Sequence, residues 1–141
     1  MKKNSPVVNN VGKGAEVDAE TKALIAKAEQ GEADAQFLLG VMYFDGTGVP
    51  QDDKEAVKWY RKSAEHGYAE AQHDLGMAYY KGQGVLKDTV TAYAWFNVAV
   101  ANGDEDGSKV RDLVAKDMTP EQIAEAQKLS KVWFELYQPK K

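Results

Sequence analysis

The chain repeats itself with a period of 36 residues, and this internal repeat limits the possible folds more than any other feature of the sequence. When residues 31–66 are aligned with residues 67–102 without a gap, 13 positions are identical, far more than chance would produce. A fixed period of this length is typical of solenoids, in which each small unit buries its apolar face only against its neighbours. The sequence therefore predicts a solenoid of small stacked units.

Each repeat carries the pattern of two helices. In the first repeat, apolar residues recur at helical spacing, and Gly40 inside the first helix would let a neighbouring helix approach closely. Gly46 is placed to end this helix in a left-handed conformation. Asp52 then predicts the N-cap of the second helix, and Glu55 three residues later completes a capping-box pattern.

The helical pattern extends beyond the two clear repeats on both sides. Asp18–Gln30 predicts a helix before them, and Asp104–Lys116 predicts a helix after them. Thr119, followed by Pro120 and Gln122, predicts the capped start of a last helix. The fold class predicted is all-α, a right-handed α-solenoid of antiparallel helix pairs with about seven helices.

The same pattern divides the chain into segments. The prediction is a flexible N-terminal arm at 1–16 and a solenoid at 17–138, with clear repeats at 31–66 and 67–102 and a C-terminal capping unit at 103–138. Trp59 and Trp95 occupy equivalent positions on the inward face of the second helix of each repeat, so we expect both in the core.

The recurring residues resemble the SEL-one-like repeat, the 36-residue relative of the tetratricopeptide repeat. The resemblance rests on Ala28-Glu29-Gln30-Gly31, on Ala64-Glu65-His66-Gly67, and on the identical positions that follow each of these segments. It implies a scaffold or adaptor that binds other proteins, often in bacteria. The family also has cysteine-rich members linked to penicillin binding or hydrolysis, whose units are each held by a disulfide, whereas this chain has no cysteine.

Composition excludes or disfavours several classes of protein. The net charge of −4 disfavours nucleic-acid binding, because such proteins need a basic face against the phosphates. Without cysteine there is no disulfide and no thiolate metal site. No apolar stretch is long enough for membrane insertion. Met1-Lys2-Lys3 is similar to the start of a signal peptide but lacks the apolar segment that should follow, so we expect a cytoplasmic protein, or a periplasmic or secreted one if a signal was removed.

Residues that could carry chemistry are few and scattered. His66 and His73 do not have metal-ligand spacing, and none of the serines lies in a nucleophile-elbow sequence. The glycine pairs at 46/48 and 82/84 follow a helix rather than a strand, so they are interpreted as helix stops rather than phosphate loops. We therefore expect no catalytic residue, no metal site and no cofactor.

A partner-binding surface is predicted on the first helix of each unit, which lines the concave face when helix pairs stack. The packing positions, such as Leu39, point toward neighbouring helices, and the other face of the same helix turns to the groove. The groove positions differ between the repeats while the packing positions agree, and such a variable face can encode recognition of one partner. The predicted groove residues are Asp34, Phe37, Val41, Phe44, Asp45, Glu70, His73, Met77, Tyr80, Lys81, Lys109 and Leu113.

Two functions remain open on these residues. The first is a non-catalytic protein–protein interaction module that binds a peptide, a helix or a protein partner on its concave face, as a bacterial adaptor, regulator or inhibitor. The second, implied by the resemblance to the cysteine-rich members, is a hydrolase acting on β-lactam or cell-wall substrates. Two alternatives concern the surface itself: the apolar groove residues of the first repeat pack against a flanking helix, or Trp133, Phe134 and Tyr137 form a homodimer contact.

Overall fold

The computed structural model describes residues 17–139, and the arm predicted at residues 1–16 lies outside this range. Within the described range the chain forms seven α-helices and no strand, which confirms the predicted all-α solenoid. The helices are α1 (Ala19–Glu29), α2 (Ala33–Asp45), α3 (Asp53–Glu65), α4 (Ala69–Lys81), α5 (Thr89–Ala101), α6 (Gly107–Ala115) and α7 (Pro120–Leu136).

The helix ends follow the capping residues that the sequence contains. The backbone at Gly46 has a φ of 74° after α2, a left-handed conformation that glycine adopts without steric cost, so the prediction for this residue is confirmed. At the start of α7, the Thr119 hydroxyl accepts a hydrogen bond from the Gln122 backbone N–H at 3.1 Å, and the Gln122 side chain accepts one from the Thr119 N–H at 2.9 Å. These two bonds complete the predicted cap of the last helix.

The capping box predicted at the start of α3 is only half formed. The Asp52 carboxylate accepts hydrogen bonds from the backbone N–H groups of Lys54 and Glu55, as an N-cap should. The backbone N–H of Asp52, however, already donates to the Tyr43 carbonyl at 2.8 Å. The Glu55 carboxylate therefore has no donor to cap and instead pairs with Lys58 at 3.0 Å. The predicted capping box is wrong because a loop hydrogen bond satisfies the same donor.

Successive helices pack around a buried core, and equivalent positions of the two repeats are buried in it. Trp59 is 8% exposed and Trp95 is 1% exposed, which confirms the prediction that both belong to the core. Leu39 is fully buried as well. At Gly40, a Cβ atom would lie 2.7 Å from the ring of Tyr60, so the missing side chain lets α3 lie close to α2 as predicted.

The last helix, α7, packs its aromatic residues back onto the second repeat. The Trp133 ring stacks on Trp95 with 4.5 Å between ring centroids, and Tyr137 stacks on the same indole at 5.6 Å. The Tyr137 carbonyl also accepts hydrogen bonds from the side chains of Gln72 and Asn102, both at 3.2 Å. Stacking thus buries Trp133 and Tyr137 in part against the core, whereas Phe134 is 36% exposed, and a homodimer contact through these three residues stays a prediction.

Helix α6 is shorter than the predicted segment Asp104–Lys116, since it begins at Gly107 and ends at Ala115. Asp104 lies before the helix, where its carboxylate accepts the Asp106 backbone N–H at 3.3 Å and lies 2.6 Å from Nδ1 of His73. Asp104 thus contacts α4 from outside the helix that the sequence pattern suggested.

Candidate functional site

Side chains from both repeats converge on one surface cavity of about 270 Å³, which we call the inter-repeat pocket. Its lining residues are Val41, Phe44, Val57, Tyr60, Asp74, Met77, Ala78, Lys81 and Gln83. Four of them, Val41, Phe44, Met77 and Lys81, are predicted groove residues. The other five were not predicted.

Helix geometry explains how the walls of the inter-repeat pocket arise. Val41 and Phe44 lie three residues apart on α2 and therefore project from one face. On α4, Asp74, Met77, Ala78 and Lys81 follow the spacing i, i+3, i+4 and i+7, which also places them on one face. Both faces border the same cavity, and both helices contribute apolar side chains to it.

The inner side of the pocket belongs to α3, whose Val57 and Tyr60 are buried residues of the core. Tyr60 follows Ala56 by four residues, a spacing that indicates a core position on its helix, and nothing in that spacing shows that the same ring also borders a cavity. Asp74 could have been found from the sequence, because it precedes Met77 by three residues on the predicted groove face.

Within the described part of the chain, Asp74 is the one acidic residue that lines the pocket, and its carboxyl group is partly buried. Burial raises the pKa of Asp74 above its usual range. His73 acts in the opposite direction on this pKa, while the carboxylates of Glu70 and Asp104 raise it further. Among residues 17–139, Lys58 pairs with Glu55, Arg111 pairs with Asp112 and His73 contacts Asp104, and none of these three contacts includes Asp74.

A second cavity, which we call the acidic recess, adjoins the inter-repeat pocket and shares Asp74 with it. Its lining residues are Phe37, Glu70, His73, Asp74, Asp104 and Asp106. Phe37, Glu70 and His73 among these are predicted groove residues. The recess and the pocket therefore bring together seven of the twelve predicted residues along one continuous surface.

His73, one of the predicted groove residues, has a side-chain partner in the structure. Its Nδ1 atom lies 2.6 Å from the Asp104 carboxylate, and its ring packs edge-on against Phe96 with 5.3 Å between centroids. The partner residue is 31 positions away in the sequence, so a local pattern does not reveal it.

Phe37 has a structural role in addition to its place in the acidic recess. Its ring centroid lies 6.0 Å from that of Tyr60 in α3 and 5.4 Å from that of Tyr68, which precedes α4. Phe37 thus packs between the two repeats. For this residue, the contacts agree with the alternative that the apolar groove residues of the first repeat pack against a flanking helix. Phe44, by contrast, is 39% exposed at the pocket.

The remaining predicted residues lie away from these two cavities. Asp34 borders a separate depression that it shares with Phe37, and Asp45 is exposed outside the cavity linings. The Tyr80 hydroxyl donates a hydrogen bond to Asp117 at 3.2 Å, and the ammonium group of Lys87 lies 5.3 Å from the Tyr80 ring centroid. Lys109 and Leu113 are exposed on α6.

Two serine hydroxyls in the described part of the chain donate to backbone carbonyls. The Ser63 hydroxyl donates to the Ala33 carbonyl at 2.7 Å, and the Ser130 hydroxyl donates to the Gln127 carbonyl at 2.9 Å. Between residues 17 and 139, no three histidine or carboxylate side chains are grouped in a way that could hold a metal ion. None of the seven described helices combines the length and apolar character needed to cross a membrane.

Comparison with known proteins connects this architecture to a family. The model of the Sel1 repeat matches residues 33–68 and 69–104. Proteins with this repeat are generally protein–protein interaction modules. No curated protein matches the chain.

Two solved structures are similar to the chain over most of its length. One is a protective antigen present in uropathogenic Escherichia coli strains, described as displaying an SLR fold, with 35% identity and a TM-score of 0.81 over 94% of this chain. Another is a Sel1 repeat protein from Oxalobacter formigenes, with 38% identity and a TM-score of 0.61 over 73% of this chain. The chain spans 29% and 43% of the lengths of these two proteins. With both repeats matched and the fold shared, the chain belongs to the Sel1 repeat family.

Proposed function

We propose that this chain is a non-catalytic interaction module that binds a peptide, a helix or a protein partner in the inter-repeat pocket. The observation that carries the proposal is the convergence of Val41 and Phe44 from one repeat with Met77 from the next on a single, largely apolar cavity of about 270 Å³. A cavity of this kind can hold one or two apolar side chains of a partner, and such anchors supply most of the binding free energy in small interfaces.

The variation between the repeats supports the same proposal. At the predicted groove positions the two repeats carry different residues, with Val41 aligned to Met77 and Asp45 aligned to Lys81. At core positions they carry the same residue, as Leu39 and Leu75 do. A constant core with a changing surface suits an adaptor, regulator or inhibitor whose specificity resides in the groove. The hydrolase alternative has no support, because the resemblance that suggested it rests on cysteine-rich members and this chain has no cysteine.

Affinity capture followed by mass spectrometry tests the proposal. The baits are the tagged wild-type chain, Phe44→Ala, and Leu86→Ala as a matched control, because Leu86 is a 90% exposed leucine outside the pocket lining. We expect a partner retained by the wild type and by Leu86→Ala but lost from Phe44→Ala. With the purified partner, Phe44→Ala should raise Kd by about 30-fold, as the loss of an aromatic anchor does. A Kd that is equal for all three baits would contradict binding in this pocket.

A further inference from the structure

The inter-repeat pocket contains a carboxylate that an apolar partner would leave unused. Asp74 lies in its lining, partly buried, and belongs to none of the ion pairs formed among residues 17–139. Burial keeps water from solvating the carboxylate fully and raises the pKa of Asp74. A partly buried carboxylate that lacks a cation is an incomplete interaction, which a positively charged group of a partner would complete.

The charges around Asp74 strengthen the preference for a cation. The acidic recess places Glu70 and Asp106 beside the same carboxylate, and the third neighbouring acid, Asp104, is paired with His73. Lys81, the basic residue of the pocket lining, is seven residues further along α4 and thus about 10 Å away along the helix axis. The Asp74 end of the pocket is therefore the negative end.

The spacing between the polar and apolar parts of the pocket is one helical turn. On α4, Met77 and Ala78 follow Asp74 by three and four residues, a rise of about 5 Å along the axis. A partner helix has the same repeat distance between residues at i and i+3 or i+4. It can therefore place one side chain at Asp74 and the next apolar side chain between Val41, Phe44 and Met77.

We propose that the partner is a helical segment that places a lysine or arginine on the Asp74 carboxylate and an apolar side chain, three or four residues away, in the inter-repeat pocket. This inference rests on the proposed function and names the chemistry of its partner. An acidic residue at the same place would meet Asp74 and Glu70 with like charge. A neutral residue would cover Asp74 and leave its charge without a counterion.

Selection from a displayed library of randomised 16-residue helical peptides tests the inference directly, since it does not require the natural partner to be identified first. The wild-type chain is the target, and the selected peptides are then measured against three variants. Phe44→Ala reports dependence on the pocket, Asp74→Asn removes the proposed counterion, and Asp112→Asn removes one charge from a well-exposed site on α6 as the matched control. Circular dichroism verifies that each variant is folded.

We expect selected peptides to carry lysine or arginine three or four positions from a large apolar residue. Asp74→Asn should raise their Kd about tenfold, whereas Asp112→Asn should change it less than twofold. Replacing the basic residue of a peptide by methionine should raise Kd by the same factor on the wild type and have little further effect on Asp74→Asn, as a directly interacting pair requires. The peptide substitution measures the interaction even if Asp74→Asn perturbs the fold.

Two results would overturn the inference in different ways. Peptides that lose binding to Phe44→Ala but show no basic preference and bind Asp74→Asn normally would refute the role of Asp74 and leave the proposed function standing. Peptides that bind all variants equally, or a selection without any specific binder, would refute the pocket as a binding site and the inference with it.

Discussion

Substitution of Trp133 by alanine tests how the C-terminal helix stabilises the repeats. The Trp133 indole stacks at 4.5 Å on Trp95, the largest fully buried side chain of the core. Removing it exposes about 100 Å² of apolar surface, which at about 25 cal/mol per Å² corresponds to about 2.5 kcal/mol. The lost stacking contributes about 1 kcal/mol more. We expect the free energy of unfolding to fall by about 3.5 kcal/mol, which lowers Tm by roughly 10 °C for a domain of this size.

Urea denaturation followed by circular dichroism measures this loss, and the neighbouring residue provides a matched control. Phe134 is on the same helix but is 36% exposed and does not stack on Trp95, so Phe134→Ala should cost less than about 1 kcal/mol. If both substitutions lower the free energy of unfolding equally, α7 does not stabilise the second repeat through Trp133, and the reasoning from aromatic stacking is refuted.

Three further predictions follow from the cap, the core and the pocket. Gly46→Val should lower Tm, because a β-branched residue is strained at a φ of 74°, and an unchanged Tm would count against the left-handed cap. Leu39→Ala should reduce the free energy of unfolding by about 2–5 kcal/mol, whereas Phe44→Ala should cost far less, and equal losses in thermal melts would place Phe44 in the core. Asp74→Asn should raise Tm at neutral pH, because burial raises the pKa of Asp74 in the folded state and penalises its charged form. This gain should shrink as the pH falls through the raised pKa and vanish below the pKa of the unfolded state, so a gain independent of pH would refute the assignment to Asp74.

Much of the fold could be predicted because its signals are local or periodic. Gly46 ends α2 and Thr119 caps α7 through atoms within a few residues of one another, so the sequence pattern and the structure agree. The buried Trp59 and Trp95 follow from their shared place in the repeat. The prediction of a capping box at Asp52 was wrong even though its sequence pattern is present. The backbone N–H of Asp52, which the box needs as a donor, instead donates to the Tyr43 carbonyl across the loop.

The candidate site was only partly predictable for a related reason. Helical spacing identified Val41, Phe44 and Met77, because residues on one helix face can be found by counting. Tyr60, on the inner side of the pocket, lies on another helix, α3. The position of Tyr60 beside the cavity depends on how α3 crosses α2 and α4. Helix crossing is set by the packing of many side chains at once, which no local pattern contains.

The sequence by itself determined the period, the helices, most of their caps and the residues of the core, because each depends on residues close in the chain or repeated at a fixed interval. Only the tertiary structure decided that His73 pairs with Asp104, that Trp133 stacks on Trp95, and that Asp74 lies partly buried outside the ion pairs of residues 17–139. Partners in the first two contacts are 31 and 38 residues apart. Contacts at that separation arise from the stacking of whole helices, and the same stacking forms the pocket that we propose as the binding site.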